Sequence, residues 1–74
     1  MQEFREYLIK KRLTGPKAVD FYLLWVKRCF HHSGKRPDEK LTQEDVDRFL
    51  KQESREREKW QVHQAKQAIG IYRF

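Results

Sequence analysis

The chain has 74 residues, of which 38% are hydrophobic, 38% are charged and ten are aromatic (five Phe, two Trp, three Tyr). A chain of this length forms one small domain that buries about 60% of its unfolded surface. Its aromatic content argues against a disordered protein, because large rings fill a small core with few residues.

The formal net charge of +6 is unevenly distributed along the chain. Residues 1–36 contain nine basic and three acidic side chains, and residues 60–74 contain two basic and no acidic ones, whereas residues 37–59 contain six basic and eight acidic ones. A basic excess at both ends attracts a polyanion, most commonly nucleic acid. The alternative is a surface whose charge serves solubility alone.

Cysteine content and hydropathy limit the other classes of protein. A single cysteine, Cys29, excludes an internal disulfide and a cysteine-based metal cluster. No apolar run approaches the roughly 18 residues of a membrane span, and the N-terminus is too polar for a signal peptide. His31 and His32 are adjacent and point to different helix faces, so they cannot chelate an ion together. We expect a soluble, cytoplasmic protein without a cofactor, a metal site or membrane contact.

The first predicted helix covers residues 2–12. Phe4, Tyr7, Leu8 and Lys11 follow the spacing i, i+3, i+4, i+7 of one helix face. The helix ends in three consecutive cations, Lys10, Lys11 and Arg12. They suit a helix C-terminus, and they could equally clamp a phosphate group.

The second predicted helix, Pro16–Ser33, is the central one. Pro16 fits the first helical position with Gly15 or Thr14 as the cap, and Gly34 fits the left-handed residue after the end, near which His32 could cap the carbonyl groups. The arc expected to face inward consists of Ala18, Val19, Tyr22, Leu23, Trp25, Val26, Cys29 and Phe30. This arc is wide enough to contact several helices. Phe21 and Leu24 project toward the polar side, outside this pattern.

The third predicted helix covers residues 41–56. Thr42 and Asp45 form a capping-box pattern, and Leu41 and Val46 could form the hydrophobic staple across it. The residues expected to face inward are Val46, Phe49 and Leu50. The mixed charges on its other faces are typical of a solvated surface. The charged stretch 53–59 that follows is either a turn or the lead-in to the last helix.

The fourth predicted helix begins at Trp60. Its narrow apolar arc consists of Val62, Ala65, Ala68, Ile69 and Tyr72. Its opposite arc contains no acidic side chain and consists of His63, Gln64, Lys66, Gln67, Gly70 and Arg73. Glutamine can pair with adenine edges and lysine with guanine or phosphate, although such a face also suits solvent. We expect Trp60 to be a core anchor rather than a residue that stacks on a base or sugar.

Three segments carry a family resemblance that covers nearly the whole chain. The run Tyr22 to Pro37 resembles the second helix and following loop of integron-type integrases. Leu41 to Leu50 resembles their third helix, and Gln64 to Phe74 the start of their fourth. The resemblance is to the N-terminal core-binding domain of tyrosine recombinases. It implies an all-α, four-helix SAM-like orthogonal bundle that grips double-stranded DNA with the starts of its second and fourth helices.

The resemblance also implies partners and a lack of catalysis. The partners are a separate C-terminal catalytic domain of the same chain and neighbouring recombinase protomers. Neither His32 nor His63 begins a His-x-x-Arg motif, and no tyrosine is a credible nucleophile, so this chain is expected to bind DNA without cutting it. Because the helical pattern is unfinished at Phe74, we expect residues 1–74 to be one domain of a longer recombinase.

These arguments predict a set of DNA-binding residues and leave one rival function. The predicted set is Lys10, Lys11, Arg12, Lys17, Lys59, His63, Gln64, Lys66, Gln67 and Arg73. The cations would supply salt-sensitive affinity, and His63, Gln64 and Gln67 would supply any sequence preference. The rival is a protein-interaction bundle whose working surface is formed by Leu24, Ile71 and Phe74.

Overall fold

The computed structural model describes residues 1–74 and contains helices but no strand. The α-helices are α1 (Gln2–Lys10), α2 (Val19–His32), α3 (Gln43–Glu56) and α4 (Lys59–Arg73), and a 3₁₀ turn, Pro16–Ala18, precedes α2. The predicted all-α bundle of four helices is therefore confirmed.

The central position predicted for the second helix is also confirmed. α2 contacts α1, α3 and α4, and seven of its side chains are buried. Cys29 is fully buried among them, and burial raises the pKa of its thiol to about 11. All the buried apolar residues of the four helices form one cluster, so the bundle has a single core.

The end of α1 differs from the prediction, because the helix stops at Lys10 rather than at residue 12. Arg12 adopts the left-handed conformation with φ 52°. The backbone N–H groups of Arg12 and Leu13 donate to the carbonyl oxygens of Ile9 and Leu8, each at 3.2 Å. This arrangement satisfies the last carbonyl groups of the helix. A non-glycine residue in this conformation costs about 1 kcal/mol.

α2 begins and ends close to the predicted positions. Pro16 opens the 3₁₀ turn with Gly15 as its cap, and the α-helix proper starts at Val19. Gly34 has a φ of 66° and closes the helix as predicted, since its N–H and that of Lys35 donate to carbonyl oxygens of the last turn. His32 makes no capping bond in the structure. Its ring instead lies against Phe49, with the ring centres 5.7 Å apart.

The predicted start of α3 is confirmed by its hydrogen bonds. The backbone N–H of Asp45 donates to Thr42 Oγ1 at 3.1 Å, and the N–H of Thr42 donates to Asp45 Oδ2 at 2.9 Å. Leu41 and Val46 are both buried, as the hydrophobic staple requires. The capping box therefore fixes where the helix begins.

The prediction of a solvated charged surface on α3 is wrong for two carboxylates, Asp45 and Glu53, which are buried. Asp45 is bonded by Lys35 and by Arg48. The hydrogen bonds from Lys35 and from the backbone of Thr42 hold the pKa of the Asp45 carboxyl well below its usual value. These contacts anchor the loop between α2 and α3 to the start of α3.

Glu53 joins α2 to the end of α3. Its carboxylate lies 3.3 Å from the guanidinium of Arg28 on α2 and 3.2 Å from that of Arg57. The charged stretch 53–59 thus continues α3 as far as Glu56 and then turns within two residues. A second capping box, between Glu58 and Gln61, starts α4 at Lys59, one residue earlier than predicted.

Two tyrosines differ in burial although both were predicted on apolar faces. Tyr72 on α4 packs edge-on against Phe4 and Phe30, with ring centres 5.2 and 5.6 Å away. Tyr7 is exposed, because the core arc of α1 is centred on Phe4 and Leu8. Tyr72 therefore links α4 to α1 and α2, whereas Tyr7 lines a surface groove.

Candidate nucleic-acid interface

Two side-chain hydrogen bonds join α2 to α4 along their length. The indole Nε1–H of Trp25 donates to Gln64 Oε1 at 2.9 Å, and the hydroxyl of Tyr22 donates to Gln67 Oε1 at 3.3 Å. The residue numbers rise on α2 as they fall on α4, so the two helices run antiparallel. The same bonds fix the register between them.

One line of side chains on each helix points away from the core. The positions in both lines are separated by four, three and four residues, the spacing of a single helix face. On α2 and the turn before it, the line consists of Lys17, Phe21, Leu24 and Arg28. On α4 it consists of Lys59, His63, Lys66 and Gly70. Because α2 and α4 pack side by side and bury their opposite sides in one core, we infer that the two lines lie on the same outer surface.

We call this surface the basic face, and it comprises those eight residues together with Gln64 and Gln67 between the lines. Neither line contains a carboxylate. Lys17, Lys59 and Lys66 are exposed and take part in no ion pair, whereas Arg28 is paired with the buried Glu53. The face thus presents three lysines that form no ion pair.

The cations lie at different points along the face. From the register of Tyr22 with Gln67 and Trp25 with Gln64, Lys59 lies level with Phe30 of α2, thirteen residues beyond Lys17. At 1.5 Å per residue the two lysines are separated by about 20 Å along the helix axis. The starts of α2 and α4 are therefore at opposite ends of the basic face rather than clustered together.

The two glutamines predicted to read bases are tied to the neighbouring helix instead of being wholly free. Their carbonyl oxygens accept bonds from Trp25 and Tyr22. Gln64 is half-buried and Gln67 is exposed. Their amide nitrogens remain without a protein partner. The glutamines therefore offer a base mainly hydrogen-bond donors.

The basic residues at the end of α1 lie beside the start of α2. Arg12 lines a small groove with Thr14, Pro16 and Val19, and Lys10 and Lys11 are exposed. Arg12 thus adds a cation beside the start of α2.

Two other predicted binding residues lie toward α3. Arg73 donates through Nη1 to Gln43 Oε1 at 2.9 Å, which ties it to the start of α3. Lys66 borders the groove between α3 and α4, which Asp47 and Lys51 also line. A carboxylate therefore lies at this edge of the basic face, and Arg73 is the predicted residue least free to turn toward a ligand there.

The prediction that Trp60 is a core anchor is wrong. The side chain is 61% exposed, and its Nε1–H donates to Glu58 Oε2 at 2.9 Å. Trp60 is the second residue of α4, and the helical step of 100° per residue carries its side chain well outside the arc that contacts the core. The indole therefore stands in solvent at the Lys59 end of the basic face.

Four residues of the basic face were absent from the predicted binding set: Gly70, which has no side chain, and Phe21, Leu24 and Arg28. Phe21 is 56% and Leu24 is 45% exposed, and both had already departed from the inward pattern of their helix. That departure was the available signal. For Arg28, no sequence pattern indicates the ion pair that holds its side chain, because its partner Glu53 is distant in the sequence.

Comparison with protein-family models, with curated proteins and with solved structures finds no match for this chain. None of the four helices is long and apolar enough to cross a membrane.

Proposed function

We propose that this chain is a duplex-DNA-binding module, and specifically the core-binding module of a tyrosine recombinase. The observation that carries the proposal is the basic face, where two lines of side chains from antiparallel helices share one surface and neither line holds a carboxylate. Amide groups lie between the two lines. Cations at the edges and amides at the centre suit a groove whose phosphates lie outside its base edges.

The dimensions of the basic face fit a duplex. About 20 Å between Lys17 and Lys59 corresponds to about six base pairs at 3.4 Å each. The exposed side chains of Phe21 and Leu24 lie between these cations and can contact thymine methyl groups. Affinity in this arrangement comes from the lysines and is sensitive to salt, because each neutralised phosphate releases counterions.

The recombinase assignment rests on the sequence resemblance. In that setting the module holds one face of the recombination site and positions a separate catalytic domain on the other. The module itself supplies binding and no catalytic step. Its further partners are neighbouring protomers assembled on the same site.

A titration of ¹⁵N-labelled protein with a short duplex tests DNA binding. We expect amide shifts to concentrate at residues 14–28 and 59–70, where the lines of the basic face lie, and to fade as salt is added. The loop between α2 and α3 should respond least. The absence of any shift at low salt would contradict the proposal.

Charge variants sharpen this test. Lys17→Ala and Lys66→Ala should each lower the slope of log K against log salt by about 0.9. Lys40→Ala is the matched control, because it removes the same charge from an exposed loop residue away from the basic face.

Arg12→Gly should weaken DNA binding while stabilising the fold, since glycine accepts the left-handed conformation. Weaker binding by this variant therefore cannot be attributed to unfolding.

The rival function, a protein-interaction surface, draws support from the apolar side chains at the surface. Phe74 is fully exposed and Leu24 is about half-exposed, whereas Ile71 is partly buried against the core. On this reading the duplex titration leaves the spectrum unchanged. The same titration therefore separates the two functions.

A further inference from the structure

The central amide groups of the basic face are held in a defined orientation. An indole N–H can only donate a hydrogen bond, so the atom of Gln64 that faces Trp25 at 2.9 Å must be its carbonyl oxygen. The amide nitrogen then points elsewhere. It bonds no protein atom and is not among the buried unpartnered atoms, so it is open to solvent.

Gln67, one helical turn further along α4, also bonds a side chain of α2, at the longer distance of 3.3 Å and with a hydroxyl group that can donate or accept. The hydroxyl of Tyr22 donates to its carbonyl oxygen, and its amide nitrogen has no protein partner. Because Gln67 is exposed, this nitrogen is also available to a ligand. The NH₂ groups of two neighbouring amides thus lack a protein partner, and the lysines beside them also only donate.

An orientation that exposes donors decides which base edge fits. Glutamine recognises adenine by accepting from N6 and donating to N7. Here both carbonyl oxygens are directed toward side chains of α2, whereas the amide nitrogens bond no protein atom. Guanine presents two acceptors, N7 and O6, and no donor at its major-groove edge. Resting on the DNA-binding function proposed above, we infer that Trp25 and Tyr22 are positioning residues that make Gln64 and Gln67 donors and direct this surface to guanine rather than adenine.

The test compares duplexes that differ only at the central bases, which are guanine, 7-deazaguanine or adenine. 7-Deazaguanine retains O6 but lacks the N7 acceptor. Dissociation constants at one fixed low salt concentration are measured by the anisotropy of labelled duplex. We expect the protein to bind the guanine duplex about threefold to tenfold more tightly than the other two, the range of one net hydrogen bond.

Variants of the positioning residues should change the preference rather than the overall affinity. Tyr22→Phe removes one hydroxyl, and Trp25→Phe removes the indole donor while keeping an aromatic ring. Each frees a glutamine carbonyl, so the guanine-to-adenine ratio should fall toward one or reverse. Lys17→Ala is the control, because loss of a phosphate contact weakens binding to all three duplexes equally.

The possible outcomes separate the guanine preference from DNA binding itself. If the protein binds no duplex, the proposed function fails. If it binds all three duplexes equally and with strong salt dependence, DNA binding stands and the guanine preference is overturned. An unchanged ratio in Tyr22→Phe and Trp25→Phe would also overturn it. Should Trp25→Phe fail to fold, Gln64→Ala replaces it, because losing the outward amide must lower the ratio without altering the core.

Discussion

The carboxylate of Glu53 forms an ion pair between α2 and the end of α3. Its side chain is 5% exposed and lies between two guanidinium groups, those of Arg28 and Arg57. Replacing Glu53 with alanine removes the carboxylate that pairs with both guanidinium groups. We expect Glu53→Ala to destabilise the bundle, because it leaves Arg28 and Arg57 without their carboxylate partner.

The magnitude follows from the burial of the three groups. Removing one partner of a fully buried ion pair costs about 3–5 kcal/mol. Arg28 and Arg57 keep 37% and 33% of their side-chain surface exposed, so water compensates part of the loss. We therefore expect a loss of about 2 kcal/mol. A domain of this length has a total stability of only about 4–11 kcal/mol.

Urea unfolding followed by far-ultraviolet circular dichroism measures this loss directly, and thermal unfolding should show a midpoint lowered by about 10 °C. Glu56→Ala is the matched control on the same helix. Glu56 is exposed and accepts only a 3.3 Å bond from Gln52, so its loss should cost less than about 0.5 kcal/mol. If Glu53→Ala and Glu56→Ala unfold at the same urea concentration, the Glu53 cluster does not stabilise the bundle as argued.

Three further predictions concern Gly70, Asp45 and Cys29. Gly70→Ala should stabilise the protein by about 0.5–1 kcal/mol in urea unfolding, because the added Cβ meets no atom within 4 Å and alanine favours a helix; a loss of stability would show that the site is crowded. The folded pKa of Asp45 lies below its ordinary value of 3.8, so its contribution is complete above about pH 4 and declines as the pH falls further. Urea unfolding should therefore show a weaker acid dependence in Asp45→Asn, and an unchanged pH profile would contradict this. Cys29 should react with an aromatic disulfide reagent only on unfolding, since its thiol is buried with a pKa of about 11; fast labelling of the folded protein would refute it.

Local signals predicted the helices and most of their ends. Gly34 and the Thr42–Asp45 capping box act through bonds between residues three to five apart, so their effect is readable from the sequence. The inward arc of α2 was equally readable, because its seven buried residues repeat with the helical period. The left-handed Arg12 was missed, since an arginine gives no sign of a conformation that usually belongs to glycine.

Residues at helix starts and at the margins of an arc were less predictable. Trp60 and Tyr7 carry large apolar rings, yet each lies outside the part of its helix that contacts the core. A large ring favours burial, but the angular position of the residue around the helix axis decides whether it faces the core. The predicted DNA-binding residues remain predictions, and the structure changes what two of them, Gln64 and Gln67, can offer to a base.

By itself, the sequence determined that this protein is a four-helix bundle centred on α2, because periodicity and capping act within a few residues. Only the tertiary structure decided that Asp45 and Glu53 are buried and that Gln64 and Gln67 are tied to α2. The Trp25–Gln64 and Tyr22–Gln67 bonds join residues 39 and 45 positions apart. Such contacts depend on how the helices meet, which no local pattern of residues encodes.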